Sequence, residues 1–286
     1  LVEDTFRVVS ISFTGLQGAQ SIPGYFHETG RRDYEFRVYQ QLGDLYFKQE
    51  RIKDAADTYN AYARRYPTNP QAPLLQVKVI DAYQKAGFVT LALETKEEFV
   101  LRYGVKSDYR KANSAGDYER VLPHVRKHME ELARHYHAVG QKSKSSPSYQ
   151  QAARWYRLFL SSFPADAQAP LMNFLLAEML FDDKQFSVAA DEYERTAYGY
   201  PRHAKSVEAG YASLQAYAQQ KKMATGKAQE TIQWRAIHSS LRFAEGFPTD
   251  ARVAGVLTNT AEQYYVLREP SSAATAARRV LAIKPE

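Results

Sequence analysis

Apolar residues recur along this chain at spacings of three and four, in stretches one helix long, and the stretches come in pairs. That spacing is what an amphipathic helix needs to bury one face. In residues 36–69, Tyr39, Leu42, Gly43 and Tyr46 form one stripe. After a short turn, Ala55, Tyr59 and Tyr62 form a second, and Pro67 closes it. Proline has no amide proton and cannot continue a helix, so it acts as punctuation. Gly43 and Ala55 are small where the two helices of such a pair would cross.

The block returns along the chain. Tyr83, Ala92, Phe99 and Tyr103 repeat Tyr46, Ala55, Tyr62 and Tyr66 at an offset of 37. Ala152, Tyr156, Phe159, Phe163 and Pro164 repeat the second stripe at an offset of 97. Gln71-Ala72-Pro73-Leu74 recurs as Gln168-Ala169-Pro170-Leu171 at that same offset. Leu176, Ala177, Leu180, Ala189, Tyr193 and Pro201 make a further copy. Tyr217 with Ala236, Phe243, Phe247 and Pro248 makes another, and Tyr264, Ala273, Ala277, Val280 and Pro285 a last one. Phe13, Ile22 and Tyr25 mark a degenerate leading copy in which Gly30 replaces the proline. A fixed period of this size is the signature of a repeat architecture. The predicted units are 34–69, 70–104, 123–164, 165–201, 202–248 and 249–286, after a leading copy at 1–33. Stretches that break the rhythm, near 105–122, 140–148 and 219–230, read as loop insertions. Within them Asn113 to Asp117, the Lys- and Ser-rich run after Gly140, and Lys221-Lys222 with Gly226 are turn-like.

This pattern resembles the tetratricopeptide repeat (TPR), W-x2-L-G-x2-Y, then A-x3-F, then P. Tyr39 stands in the Trp position and Tyr59 in the Phe position. The resemblance covers nearly the whole chain. It implies an all-α, right-handed superhelical α-solenoid of about six helix-turn-helix repeats plus the degenerate leading one. It also implies a non-enzymatic protein-interaction scaffold, whose partners are peptide or helix segments of other proteins. In the family the first helix of each repeat lines a concave groove. By register those positions are Arg37, Gln40, Asp44 and Phe47, then Asp81 and Gln84, then Lys127, Glu130, Arg134 and His137. Phe174, Glu178 and Phe181 follow, then Tyr211 and Gln215. Chaperone-binding members grip a terminal carboxylate with Lys and Asn at two of these positions. Here they are Gln40 and Asp44, and an aspartate would repel that ligand, so no such clamp is expected.

The aromatic-Pro end at Tyr66-Pro67 and Phe163-Pro164, followed by a short polar linker to Ala-Pro, is similar to repeats of bacterial cell-envelope proteins. Those include the barrel-assembly lipoprotein and the Tol-Pal-associated type. That subtype implies a scaffold in the periplasm or associated with the outer membrane. A cytosolic peptide-binding adaptor is the alternative, and so is a carbohydrate-handling module of polysaccharide export, in which Phe47, Phe174, Phe181 and Tyr211 would stack on sugars.

Composition narrows the chemistry further. With no cysteine, disulfides, thiol catalysis and cysteine zinc sites are excluded. No stretch reaches the roughly 18–20 apolar residues of a membrane helix. A start at Leu1 and the lack of a polar capping helix after the last repeat lead us to expect a piece of a longer protein. The net charge of +6 gathers at Arg31-Arg32, Lys142 with Lys144, and Lys221-Lys222 with Lys227. The 21 tyrosines and 14 phenylalanines mostly occupy repeat packing positions. They are not interleaved with the basic residues, so nucleic acid is not an expected partner. His124, His128, His135 and His137 cluster on one helix, with His124 and His128 four apart, a spacing that can chelate a metal. His128 and His135 fall where Val38 and Leu45 stand in the first repeat, so packing is the expected role. No metal or cofactor is expected. No phosphate loop, dinucleotide glycine pattern or nucleophile elbow occurs, and catalysis is not expected.

Overall fold

The computed structural model describes residues 2–26 and 34–283. Gly30, Arg31-Arg32 and Lys284-Pro285, on which the sequence reading drew, lie outside the described residues. The chain divides into two compact units, residues 1–132 and 133–286. All described regular structure is helical.

The first unit opens with α1 (Val2–Thr14), a 3-10 turn (Gly18–Gln20) and α2 (Ile22–Phe26). Phe13 and Ile22 are buried as expected of a leading copy, whereas Tyr25 lies largely in solvent and touches Phe13 only edge-on. Two helix pairs follow: α3 (Glu35–Lys48) with α4 (Ile52–Arg65), and α5 (Ala72–Lys85) with α6 (Val89–Tyr103). The short helices α7 (Asp108–Ala112) and α8 (Ala115–Glu119) come next. Helix α9 (Leu122–Ser143) contains the boundary between the units. The second unit continues with α10 (Ser146–Ser162), then α11 (Ala169–Asp182) with α12 (Phe186–Tyr198). Then come α13 (Ser206–Met223) with α14 (Gly226–Gly246), and α15 (Val253–Val266) with α16 (Pro270–Ile283). These are the helix-turn-helix repeats of a TPR-like fold; the predicted packing positions are buried in the first pair, whereas in the last pair Ala277 is exposed and Tyr264, Ala273 and Val280 are half-buried. Tyr39, Leu42, Tyr46, Ala55, Tyr59 and Tyr62 are all buried in the first pair.

Two local devices recur, the first in three pairs and the second in all six. The aromatic of an aromatic-Pro dipeptide leaves the helix at φ −131° for Tyr66, −133° for Phe163 and −134° for Phe247. A following proline disfavours helical backbone in the residue before it, so the dipeptide stops the helix and turns the chain. At the other end, the turn inside each pair passes through one left-handed residue. Glu50, Gly87, Lys184 and Arg268 hold φ of 60°, 77°, 59° and 61°, and Lys144 and Gly226 do so in the two longer pairs.

The three expected insertions are corrected by the structure. Residues 105–122 are not a loop: α7 and α8 bury Tyr109 and Tyr118, and Asn113 Nδ2 ties the segment back to Thr68 O at 2.9 Å. Only Asn113 and Ser114 remain between the two helices. The stretches 140–148 and 219–230 are helix as well, since α9 and α10, and α13 and α14, run past the length of the other pairs. Between them stand only Lys144-Ser145 and Ala224-Thr225. In 219–230 the lysines, glutamines and alanines are good helix formers, and in 140–148 Pro147 falls in the first turn of α10, where its missing amide proton costs no helical bond.

Small residues at the crossings are required by their neighbours. A Cβ on Gly43 would fall inside the ring of Tyr59, and one on Gly140 would lie 2.6 Å from Tyr149 Cδ1. Gly255, by contrast, has open space where a Cβ would go. We therefore expect Gly43→Ala to lower stability by about 1–3 kcal/mol through overpacking. Gly255→Ala should be neutral or stabilise by up to about 1 kcal/mol through helix propensity. Urea midpoints of the two variants check both.

One buried ion pair gives a pH dependence. Lys96 Nζ, almost fully buried on α6, lies 2.8 Å from Glu131 Oε2 on α9, and His128 Nδ1 reaches the same oxygen at 3.2 Å. Burial alone would raise the Glu131 pKa, but the His128 hydrogen bond and the Lys96 pair outweigh it and leave it at about 2. A carboxyl depressed on folding contributes stability above its unfolded value, and the contribution is lost as pH falls toward the folded one. The stability gap between the wild type and Glu131→Gln should thus be widest at neutral pH and shrink from about pH 4.3 downward. Denaturant midpoints at pH 7 and pH 3 measure it.

Candidate functional site

The residues expected on the first helices separate into those that can meet a partner and those that cannot. On α3, Arg37, Gln40, Asp44 and Phe47 are half-buried, and each described contact is internal. The Arg37 guanidinium lies over Phe6 at 4.9 Å, and Lys85 Nζ over Phe47 at 5.5 Å. Asp44 Oδ1 accepts from Tyr59 Oη at 2.5 Å and from Lys78 Nζ at 2.7 Å. On α5, Asp81 and Gln84 are exposed. On α9, Arg134 and Lys127 are exposed and Glu130 is half-buried, but His137 is buried, with Nδ1 3.1 Å from Tyr156 Oη. Burial lowers the His137 pKa.

Helix α11 departs further from expectation. Phe174 is buried against Tyr193, with Lys205 Nζ 4.9 Å from its ring centroid, so it offers no surface to a sugar or a peptide. Phe181 is half-buried between Phe186 and Tyr193. Glu178 accepts from Tyr193 Oη. Burial raises the Glu178 pKa despite that bond, with Glu208 and Asp182 adding to the rise. Asp44–Tyr59 and Glu178–Tyr193 are the same contact in two repeats: a first-helix carboxylate fastens the tyrosine of the second helix. The amphipathic register places these side chains on the first helix correctly. It does not reveal that a tyrosine from the neighbouring helix already occupies them.

The histidines are packing groups. His128 is buried edge-on against Phe99, with ring centroids 5.3 Å apart, and its partner is Glu131. Among the described residues no group of three or more His, Cys, Asp or Glu is placed to hold a metal.

One open concavity lies wholly within the second unit. It is a cleft of about 760 Å³ between the first helices α13 and α15, floored by α14. Tyr211 and Gln215, both expected, line its α13 wall with Leu214, Lys221 and Lys222. The α15 side supplies Arg252, Gly255, Val256, Asn259 and Gln263, and α14 supplies Gln229, Ala236 and Ser240. Arg252 is fixed: its Nε and Nη2 reach Asp250 at 2.8 and 2.9 Å, and its guanidinium lies over Tyr211 at 4.5 Å. The hydrogen bonds from Arg252 hold the Asp250 carboxyl below its ordinary range. Asn259 Oδ1 accepts from Gln263 Nε2 at 2.8 Å. Lys221 and Lys222 stand on the turn by which α13, with 18 residues, exceeds the 14 of α3, α5, α11 and α15. The sequence reading missed the α15 wall. Its signal was there: Arg252, Gly255, Val256, Asn259 and Gln263 follow the spacing of three and four. They lie one edge over from the register extrapolated from α3.

No family model matches the chain, and no curated protein matches it. Among solved structures it is similar to the C-terminal part of a TPR repeat-containing protein from Cytophaga hutchinsonii. That match has 14% identity, 98% of this chain and 95% of that chain covered, and a TM-score of 0.38. It is similar to PilW, described as a widely conserved type IV pilus biogenesis factor (12%, 89% and 96%, 0.35). A third is a tetratricopeptide repeat protein from Parabacteroides merdae (11%, 98% and 93%, 0.31).

Proposed function

We propose that this chain is a protein-interaction scaffold of a bacterial envelope assembly, holding a peptide or helix segment of its partner in the cleft between α13 and α15. The observation that carries the reading is the cleft itself, in which first-helix residues expected to contact a partner, Tyr211 and Gln215, line an open, part-apolar trough. Leu214, Val256 and Ala218 supply apolar surface. Gln215, Asn259 and Ser240 supply hydrogen-bonding groups, a mixture fitted to a peptide backbone with alternating side chains. A preformed trough on packed helices also lowers the ordering cost of binding. The exposed Asp81, Gln84 and Arg134 are proposed as secondary contacts, as are the outward atoms of Arg37, Gln40, Asp44, Phe47, Glu178 and Phe181. The envelope placement rests on the repeat subtype, with aromatic-Pro ends at Tyr66 and Phe163 and Ala-Pro linkers at Ala72 and Ala169. No described helix is long and apolar enough to cross a membrane. The sugar-handling reading is less favoured, because of its four aromatics Phe174 is buried and Arg252 covers one face of Tyr211, while Phe47 and Phe181 are half-buried.

Gly255 provides the test, since it lines the cleft and a Cβ added there meets nothing within 4 Å. Affinity capture from envelope and cytosolic fractions should recover an envelope protein with the wild type and lose it with Gly255→Trp. Equal capture by both would remove the cleft from the function, and a solely cytosolic partner would remove the envelope.

A further inference from the structure

The charge of the cleft is one-sided. Its lining carries three cations, Lys221, Lys222 and Arg252, and no carboxylate. Of the three, Arg252 is neutralised within the site by Asp250, and Glu208 acts on it from α13. Lys205 is the ion-pair partner of Glu208. Lys221 and Lys222 form no ion pair among the described residues. They line the cleft from the last turn of α13, Lys222 exposed and Lys221 half-buried. Accepting the protein-binding reading, we infer that the segment held there is acidic, carrying Asp or Glu among apolar residues, with its carboxylates toward Lys221 and Lys222.

Three observations favour this occupant. First, two like charges on adjacent residues repel one another and are relieved by a binding anion, so the free cleft is electrostatically incomplete. Second, these lysines belong to the turn by which α13 exceeds the 14-residue first helices α3, α5, α11 and α15; Gln229 of α14 anchors its backbone at Lys221 O, while the two lysine side chains have no ion pair among the described residues. A lysine in the last turn does complement the helix dipole, but an effect of tenths of a kcal/mol is no reason to lengthen the helix. Third, a nucleobase is poorly served. Single-strand binding relies on open aromatic faces. Arg252 lies over the ring of Tyr211, and Arg235 lies over Tyr217 at 5.1 Å and is itself held by Asp191.

The test uses a labelled peptide of alternating acidic and leucine residues, its Asn/Gln counterpart, and a single-stranded oligonucleotide, read by fluorescence anisotropy. Three proteins are compared: wild type, the Lys221→Gln/Lys222→Gln double variant, and Gly255→Trp. Circular dichroism confirms that the substitutions leave the helices intact. The wild type should bind the acidic peptide more tightly than the amide one, and added salt should weaken that binding. The double variant should bind the acidic peptide about three- to tenfold more weakly, and Gly255→Trp should abolish binding. Equal affinity for both peptides overturns the inference, as does undiminished acidic binding by the double variant or displacement by the oligonucleotide. If neither peptide binds while Gly255→Trp still loses the captured partner, the acidic reading falls and the scaffold reading stands. Retention of the partner by Gly255→Trp defeats the scaffold reading on its own.

Discussion

Three of the helix crossings depend on an aromatic ring packed so close to a glycine that a Cβ would collide with it. At Gly43 the intruding ring is Tyr59, at Gly140 it is Tyr149, and at Gly210 it is Phe243 and Phe247. Such contacts bring helix axes close and bury large rings, which contribute more per residue than aliphatic side chains. A carboxylate then secures the ring's polar end, as Asp44 does for Tyr59 and Glu178 for Tyr193. Burial and that hydrogen bond both raise the two phenol pKa values, so each tyrosine stays a neutral donor.

The fold was legible because these contacts recur at a period. The small residue, the aromatics and the closing proline are all side-chain signals, and repetition separates them from chance. Backbone signals were harder to see. The left-handed turn residue falls at equivalent places in four repeats, yet it is Glu50, Gly87, Lys184 and Arg268. Only one of these is the glycine that sequence reasoning looks for. In the other three, ordinary polar residues bear the cost of that conformation because the packed helices on either side fix the turn. Composition misled for a related reason. Lysine, serine and glycine near 140–148 and 219–230 resemble a loop, but solvent-facing helical turns use the same residues when each helix is already held elsewhere along its length.

The candidate site was half legible. Register put Tyr211 and Gln215 on the side of α13 that lines the cleft, because that side depends only on helical periodicity. It put Phe174 and His137 on the surface, where the neighbouring second helix covers them. It also missed the α15 wall, since the two walls of a trough between successive first helices come from opposite edges of those helices. A single-helix register cannot encode that; it takes the packing of α14 beneath both. The two lysines of the lining were visible as a basic cluster and were assigned to a loop, so their link to the trough appears only in three dimensions.

The longer helix pairs also carry a rule about how this chain can change. Against a 14-residue reference, α13 is longer by 4 residues, α14 by 7, α9 by 8 and α10 by 3. Each value lies close to one or two turns at 3.6 residues per turn. An insertion of two residues would rotate everything beyond it by about 200° and aim the buried stripe at water. One of three or four leaves the stripe nearly in place. Growth of the scaffold is thus quantised in helical turns, and a turn added to both helices of a pair can carry its own packing, as Gly140 and Tyr149 do, while its outer side chains stay in solvent. New recognition surface can arise there without cost to the fold, and Lys221 and Lys222 stand on one such turn.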